Sequence, residues 1–188
     1  MKRVLITGAN GFIGRHAVAP LVERGYEIHA AGLGPRPAFL QAPVHWYDTD
    51  LLKPADRDEL LDAARPSHLL HFAWYAAHGQ FWTSPENLRW VEASLGLLKR
   101  FRESGGTRFV ASGSCAEYES QIEACNERET ARRPSTLYGV CKNAVQEILG
   151  SYSQTTELSS AWGRIFFLYG PGEHPDRLVA SVIRSERR

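Results

Sequence analysis

Tyr138 and Lys142 are the residues best suited to move a proton. They stand four apart in a segment with helical periodicity, so both side chains point to one face of the expected helix. A tyrosine is a poor acid or base at neutral pH, because its reference pKa is about 10. A neighbouring ammonium stabilises the phenolate and lowers that pKa, which makes proton transfer at a hydroxyl or carbonyl oxygen feasible. For the pair alone, an ordinary amphipathic helix is the favoured explanation.

A serine at the end of an expected strand adds a second polar group. Ser112-Gly113-Ser114 lies where side chains emerge at the carboxyl edge of a parallel sheet, the edge that holds ligands. A hydroxyl there could hydrogen-bond a carbonyl or alkoxide oxygen. A serine that serves only a turn or a helix cap is the common alternative.

A glycine-rich turn joins the first expected strand to the first expected helix, with the sequence GANGFIG at residues 8–14. Glycines let the backbone turn sharply and approach a diphosphate, and the helix N-terminus offers free N–H groups and the positive end of its dipole. The glycines are three apart, which differs from the commoner G-x-G-x-x-G spacing. A tight turn without a ligand is the alternative, but the position at the first strand-to-helix junction favours diphosphate binding.

The elements that carry these groups alternate along the chain. Short β-rich apolar runs are followed by longer amphipathic segments, which predicts βαβ units. The expected strands cover residues 4–7, 27–32, 44–48, 68–73, 107–112 and 160–168, and the expected helices cover residues 14–24, 54–64, 84–103 and 135–151. A polar loop is expected up to residue 134, and a last helix from about residue 175. The predicted fold class is α/β, a doubly wound parallel sheet of the Rossmann type with helices on both faces.

Composition excludes several classes of partner. The 188 residues carry 22 Lys and Arg against 21 Asp and Glu, so a net charge of +1 gives no reason to expect nucleic acid or an anionic membrane. No apolar stretch approaches the ~20 residues that span a bilayer, and no signal peptide is evident. Cys115, Cys125 and Cys141 lack metal-ligand spacing and fit a reducing cytoplasm, while His68 and His71 face opposite sides of a strand. We therefore expect a cytoplasmic protein without a metal site, and a homodimer is left open.

Six motifs in order make the chain resemble the extended short-chain dehydrogenase/reductase family, which contains nucleotide-sugar epimerases, dehydratases and ketoreductases. The matching segments cover nearly the whole chain. They are the turn at residues 7–14, Asp50-Leu51, His71-Phe72-Ala73, Ser114 four residues before Tyr118, the Tyr-x-x-x-Lys pattern within residues 134–142, and residues 164–172.

The resemblance implies a nicotinamide dinucleotide, NADP or NAD, and assigns roles to residues. The implied catalytic residues are Ser114, which positions the substrate oxygen, Tyr138, which moves the proton, and Lys142, which lowers the Tyr138 pKa and binds the nicotinamide ribose. The implied cofactor-binding residues are Gly8, Asn10, Gly11, Phe12, Ile13, Gly14, Asp50, Leu51, Phe72, Ala73, Tyr138 and Lys142. Arg36 is a further expected cofactor-binding residue, on the ground of a departure from the family pattern.

One departure from the family pattern concerns the choice of dinucleotide. Gly32 stands where NAD-preferring relatives carry an acid at the end of the second strand, and no acid occurs between Glu27 and Asp48. Arg15 and Arg36 could instead approach a 2′-phosphate. The sequence therefore leans to NADP(H), with surface arginines that bind no ligand as an equal alternative.

Other departures concern the reaction and the substrate. Cys115-Ala116 follows Ser114 where the sugar 4,6-dehydratases carry Asp-Glu, which argues against dehydration. Trp90 replaces the family's frequent Asn in the helix after the fourth strand. The aromatic pairs Trp74-Tyr75 and Phe81-Trp82 could stack on a sugar, although core or interface anchors are the more common use of such residues.

The implied activity is oxidation and reduction of a nucleotide-linked sugar, as a 4-ketoreductase or a 4-epimerase, with a slight preference for reduction. A non-catalytic dinucleotide-sensing or scaffold protein on the same fold is the alternative, disfavoured because Ser114, Tyr138 and Lys142 are all retained. The expected domains are a dinucleotide-binding domain at residues 1–172 and, at residues 173–188, the start of a substrate-binding lobe that this chain largely lacks.

Overall fold

A computed structural model describes residues 2–119 and 124–186 of the chain. Residues 120–123, in the middle of the expected polar loop, and residues 187–188, at the end of the expected second lobe, lie outside the described residues. The elements are β1 Arg3–Thr7, α1 Phe12–Glu23, β2 Glu27–Gly32, β3 His45–Asp48, α2 Pro54–Ala64, β4 His68–His71, α3 Glu86–Glu103, β5 Arg108–Ser114, a short 3-10 helix Cys115–Glu117, α4 Leu137–Thr156, β6 Ser159–Ile165 and α5 Leu178–Glu186.

The six strands form one parallel sheet in the order β3-β2-β1-β4-β5-β6. This order confirms the predicted doubly wound sheet of the Rossmann type. The strand order reverses between β1 and β4, and a crevice opens at the carboxyl ends of these two central strands. Ligands of open α/β sheets bind at this kind of switch point.

Buried side chains on both faces of β1 explain why helices cover both sides. Val4 and Ile6 pack in one core with Val18 of α1, whereas Leu5 packs in the other core with Leu61 of α2. Because successive strand residues point to opposite faces, an unbroken apolar run requires cover on both faces. Helices α3 and α4 complete the second core through residues such as Leu97, Phe101 and Leu149.

Several boundaries differ from those expected, for reasons that lie at the crevice. The fourth strand ends at His71, two residues early, because the next two residues leave the sheet and cross over the glycine turn. Strand β5 continues to Ser114, because pairing with β6 extends to Ser114 opposite Ile165. Helix α3 begins at Glu86, two residues later than expected, with Pro85 at its N-cap.

In the described parts of the chain, none of the helices combines the length and the apolar character that a membrane crossing requires. The cytoplasmic location stays a prediction, and the homodimer stays an open possibility.

Candidate active site

The glycine turn brings the backbone of β1 against the segment after β4. Gly8 has a φ of +68°, and a Cβ there would lie 2.8 Å from the Ala73 nitrogen. A side chain at Gly14 would collide with the carbonyl of Gly8. Gly11 differs, since its Cβ would meet only the Gly8 oxygen, at 3.1 Å. Gly8 and Gly14 are therefore required by the turn itself, while Gly11 leaves its outer side open to the crevice.

A crevice of about 580 Å³ runs from this turn across the carboxyl edge of the sheet. It gathers residues from the ends of β1, β4 and β5 and from the start of α4, which lie far apart in the sequence. Thirteen of the fourteen sequence-predicted site residues line it: Gly8, Asn10, Gly11, Phe12, Ile13, Gly14, Asp50, Leu51, Phe72, Ala73, Ser114, Tyr138 and Lys142.

Arg36 is the predicted site residue that does not line the crevice. Its guanidinium donates to the carbonyl oxygens of Leu40, at 2.7 Å, and Ala42, at 2.8 Å. Arg15 likewise stacks on Phe39, 3.9 Å from the ring centroid. The guanidinium of Arg36 is therefore directed to the carbonyls of its own loop and not into the crevice.

The local structure explains why residue 32, at the end of β2, is a glycine. A Cβ at this position would lie 2.5 Å from Asn10 Oδ1 and 2.9 Å from the Trp46 ring. Asn10 is held there by a hydrogen bond from its Nδ2 to the Leu33 carbonyl, at 3.1 Å. The absence of an acid at residue 32 thus follows from the close approach of Asn10, and a phosphate ligand is not needed to explain it.

Tyr138 lies among aromatic rings at the start of α4. The centroid of Phe81 is 4.8 Å from that of Tyr138 and the centroid of Trp82 is 5.8 Å away, both edge-to-face. Burial raises the pKa of Tyr138 above its ordinary value, although hydrogen bonding to Ser114 opposes the increase. The Tyr138 pKa is therefore raised and not lowered as expected, since apolar surroundings disfavour the phenolate.

Lys142 is buried, and its ammonium group is hydrogen-bonded to the backbone of β5. Its Nζ donates to the Ser112 carbonyl at 3.0 Å and lies 6.0 Å from the centroid of the Tyr138 ring. Burial lowers the pKa of Lys142 to about 7, against the opposing attraction of the Glu117 carboxylate. At neutral pH the side chain is thus poised between its charged and neutral forms, which limits its effect on Tyr138.

Ser114 ends β5 and caps the short 3-10 helix. Its Oγ accepts the N–H of Ala116 at 3.2 Å, while its own N–H donates to the Glu117 carboxylate at 2.7 Å. These two bonds form a capping box. Glu117 was missed in the sequence, although the spacing Ser-x-x-Glu is the known signature of such a box.

His71 is a second buried titratable group beside the turn. Its Nδ1 is 2.7 Å from Thr7 Oγ1 and its Nε2 is 2.9 Å from Ser94 Oγ. Burial, and to a smaller extent the charge of Lys142, lower the pKa of His71 to about 3. His71 therefore stays neutral and ties β1 to β4 and α3.

Glu27, His29 and His45 bring potential metal ligands together at the opposite edge of the sheet. Hydrogen bonds account for the group: His29 contacts Glu27 at 3.1 Å through Nε2 and the Tyr47 hydroxyl at 2.9 Å through Nδ1. The other Glu27 oxygen accepts from Arg3 at 3.3 Å. Glu27 and His29 thus have hydrogen-bond partners within the protein, and His45 stacks on the His29 ring.

Comparison with known proteins identifies the family of this chain. The model of the NAD dependent epimerase/dehydratase family matches residues 4–187, almost the full length. The chain belongs to this family. The match confirms the resemblance to extended short-chain dehydrogenases, and it places the glycine turn and the crevice within a family of NAD-dependent enzymes.

Curated members of the family act on nucleotide-sugars. The dTDP-6-deoxy-L-talose 4-dehydrogenase (NAD(+)) of Aggregatibacter actinomycetemcomitans is 26% identical over 97% of this chain and 67% of that protein. A UDP-glucose 4-epimerase of Rhizobium leguminosarum bv. trifolii is 29% identical over 88% of this chain and 51% of that protein. Among solved structures, the UDP-glucose 4-epimerase of Thermus thermophilus in complex with NAD has a TM-score of 0.83 at 27% identity, over 97% of this chain.

These family members are longer than this chain. The chain covers 60% of the solved Thermus thermophilus protein and about half of the Rhizobium epimerase, 51%. This agrees with the expectation that much of a substrate-binding lobe is not contained in the chain. The boundary at residue 172 stays a prediction.

Proposed function

We propose that this chain is the dinucleotide-binding part of a nucleotide-sugar oxidoreductase, with 4-ketoreductase or 4-dehydrogenase activity. The observation that supports this most is that Ser114, Tyr138 and Lys142 line the same crevice as the glycine turn. A 4-epimerase is the second candidate, because the curated and solved relatives include UDP-glucose 4-epimerases.

The residues of the crevice fit a nicotinamide dinucleotide. The open side of Gly11 and the N-terminus of α1 offer a diphosphate backbone N–H groups without a side chain in the way. In this proposal Asp50 and Leu51 lie at the adenine side, and Phe72 and Ala73 lie below the diphosphate. When bound, the dinucleotide supplies the donor or acceptor of the hydride at the sugar carbon.

Tyr138 in this proposal carries the proton. Its raised pKa keeps the hydroxyl protonated at neutral pH, which suits donation to a ketone oxygen as hydride reaches the adjacent carbon. The Ser114 hydroxyl donates a second hydrogen bond to the same oxygen, and Lys142 binds the nicotinamide ribose.

We further propose NAD(H) as the preferred dinucleotide. The lean to NADP(H) depended on Gly32 and Arg36, yet Arg36 is bound to the Leu40 and Ala42 carbonyls and Gly32 makes room for Asn10. The Aggregatibacter dehydrogenase is named for NAD(+), and the Thermus thermophilus epimerase was solved in complex with NAD.

Calorimetry with NAD(H) and NADP(H) on the purified chain tests the binding part of the proposal. We expect NAD(H) to bind more tightly, and binding of neither dinucleotide would refute the assignment of the crevice. Turnover is then measured in the full-length natural protein with UDP- and dTDP-linked hexoses and 4-keto-hexoses. Net oxidation of NADH supports the ketoreductase, interconversion of hexoses without net NADH change supports the epimerase, and dinucleotide binding with no turnover of any of them supports a sensing or scaffold protein.

A further inference from the structure

The carboxylate of Glu117 is completely buried directly behind the candidate site. The residue is 0% exposed, and its carboxylate receives hydrogen bonds from three donors. Oε1 accepts the Ser114 N–H at 2.7 Å and Trp162 Nε1 at 2.9 Å, and Oε2 accepts Arg164 Nε at 2.6 Å. A carboxylate removed from water is stable only with donors of this kind, and here they include the guanidinium of Arg164.

The backbone of β5 is shaped around this carboxylate. A Cβ at Gly113 would collide with Trp162 Nε1 and with Glu117 Oε1. Gly113 therefore lets Trp162 of β6 reach Glu117 across the strand that carries Ser114. This arrangement joins the end of β5 to β6 at the point where Ser114 enters the crevice.

Trp162 also brings this carboxylate into the surroundings of Lys142. The Trp162 ring that donates to Glu117 has its centroid 6.0 Å from Lys142 Nζ. Within residues 2–119 and 124–186, the other titratable groups near Lys142 are Tyr138 of α4 and His71 of β4, which burial keeps uncharged at neutral pH. Glu117 is thus the negative charge available to the buried ammonium, and its attraction opposes the effect of burial on the Lys142 pKa.

We propose that Glu117 is a positioning residue for the reaction: it holds Ser114 through the strand backbone and supplies the buried negative charge that faces Lys142. The inference rests on the proposed function, in which Ser114 contacts the substrate and Lys142 the dinucleotide. Arg164 neutralises the outer oxygen of Glu117, and it is the partner without which the carboxylate would not remain buried.

The charge of Glu117 is tested by Glu117→Gln, which keeps an acceptor oxygen for Ser114. The chain has four lysines, so the Cε signals of labelled lysine are few enough to follow by NMR as pH changes, with Lys142→Met to assign the signal. In the unchanged protein we expect the Lys142 titration near its pKa of about 7. Glu117→Gln should move it to lower pH by about 0.5 to 1 pH unit. Glu147→Gln, the same change on the exposed face of α4, should not move it.

The hold on Ser114 is tested by Glu117→Leu combined with Arg164→Met, which removes the acceptor without leaving a buried unpaired charge. We expect kcat for the nucleotide-sugar to fall by about 10- to 100-fold, because the serine loses its fixed position. The Kd for NAD(H) and the KM for the sugar should change less than about 3-fold, since the glycine turn is untouched.

The outcomes separate the two proposals. If the unchanged chain binds no dinucleotide, the proposed function fails. If it binds NAD(H) but Glu117→Gln leaves the Lys142 titration in place, or the double variant keeps its kcat, Glu117 has only a structural role and the inference is overturned. Should Glu117→Gln not fold, the double variant supplies both the titration and the kcat.

Discussion

The indole of Trp74 covers the side chain of Lys142. Lys142 Nζ lies 3.8 Å from the centroid of the ring, and Nε1 of the same ring donates to the buried Asn87 Oδ1 at 2.8 Å. Asn87 in turn donates to the carbonyls of Phe81 and Ser84, which fixes the segment before α3. A cation over an aromatic face is stabilised, but here burial has the larger effect, and the Lys142 pKa falls to about 7. The enclosure of this lysine has a measurable thermodynamic consequence.

Lys142→Met should change how stability depends on pH. The pKa of Lys142 is about 7 in the folded protein, below the ordinary 10.5, so between these values the unfolded chain holds a proton that the folded protein has lost. The free energy of unfolding therefore rises with pH between about 7 and 10.5, with a slope of up to about 1.4 kcal/mol per pH unit from this residue. At lower pH the destabilisation by buried Lys142 is fully present. Lys142→Met removes that slope and should stabilise the protein near pH 7. Urea unfolding at several pH values measures it, and an unchanged slope above pH 7 would show that Lys142 keeps its ordinary pKa.

His71→Gln should flatten the loss of stability in acid. The pKa of His71 is lowered from 6.5 to about 3, so as pH falls through this window the unfolded chain takes up a proton that the folded protein refuses. The contribution of His71 to the free energy of unfolding is therefore fully present above pH 6.5 and decreases as the pH falls to about 3. Thermal unfolding between these limits measures the effect, with the exposed His16→Gln as the control. If both variants lose stability in acid as the parent does, His71 is not the group responsible.

Gly11→Val and Gly14→Val should separate binding from folding. A side chain at Gly11 meets only the Gly8 oxygen, at 3.1 Å, whereas one at Gly14 collides with that carbonyl. We expect Gly11→Val to fold, with a small decrease in Tm, and to lose measurable NAD(H) binding in calorimetry, because its branched side chain occupies the place of the diphosphate. Gly14→Val should unfold or fall strongly in Tm. Normal NAD(H) affinity in folded Gly11→Val would place the dinucleotide elsewhere.

Tyr138→Phe should slow turnover without weakening the dinucleotide complex. The variant loses only the hydroxyl, and the aromatic contacts with Phe81 and Trp82 can remain. Since general acid catalysis contributes about 10²–10⁴-fold, kcat in the full-length protein should fall by that factor while the Kd for NAD(H) stays the same. A near-normal kcat would remove Tyr138 from the chemistry.

The fold and the membership of the crevice were predictable because they depend on local patterns. Apolar runs such as Val4–Thr7 indicate a strand that is buried on both faces. Because such strands alternate with helices along the chain, the sheet is expected to be parallel. Motifs at the carboxyl ends of such strands must meet at one edge. Gly8 and Ser114 could thus be placed at one edge from these patterns, whereas Tyr138 of α4 was assigned to the site by the family resemblance.

The sequence by itself thus determined the sheet, the glycine turn and the set of side chains that meet at its edge. The tertiary structure alone decided what those side chains do there. The Leu40 carbonyl accepts hydrogen bonds from Arg36. Burial raises the pKa of Tyr138 and lowers that of Lys142. Arg164 forms an ion pair with Glu117 behind Ser114. The physical reason is that hydrophobic periodicity is written locally, whereas pKa values and hydrogen-bond partners depend on groups that only folding brings together.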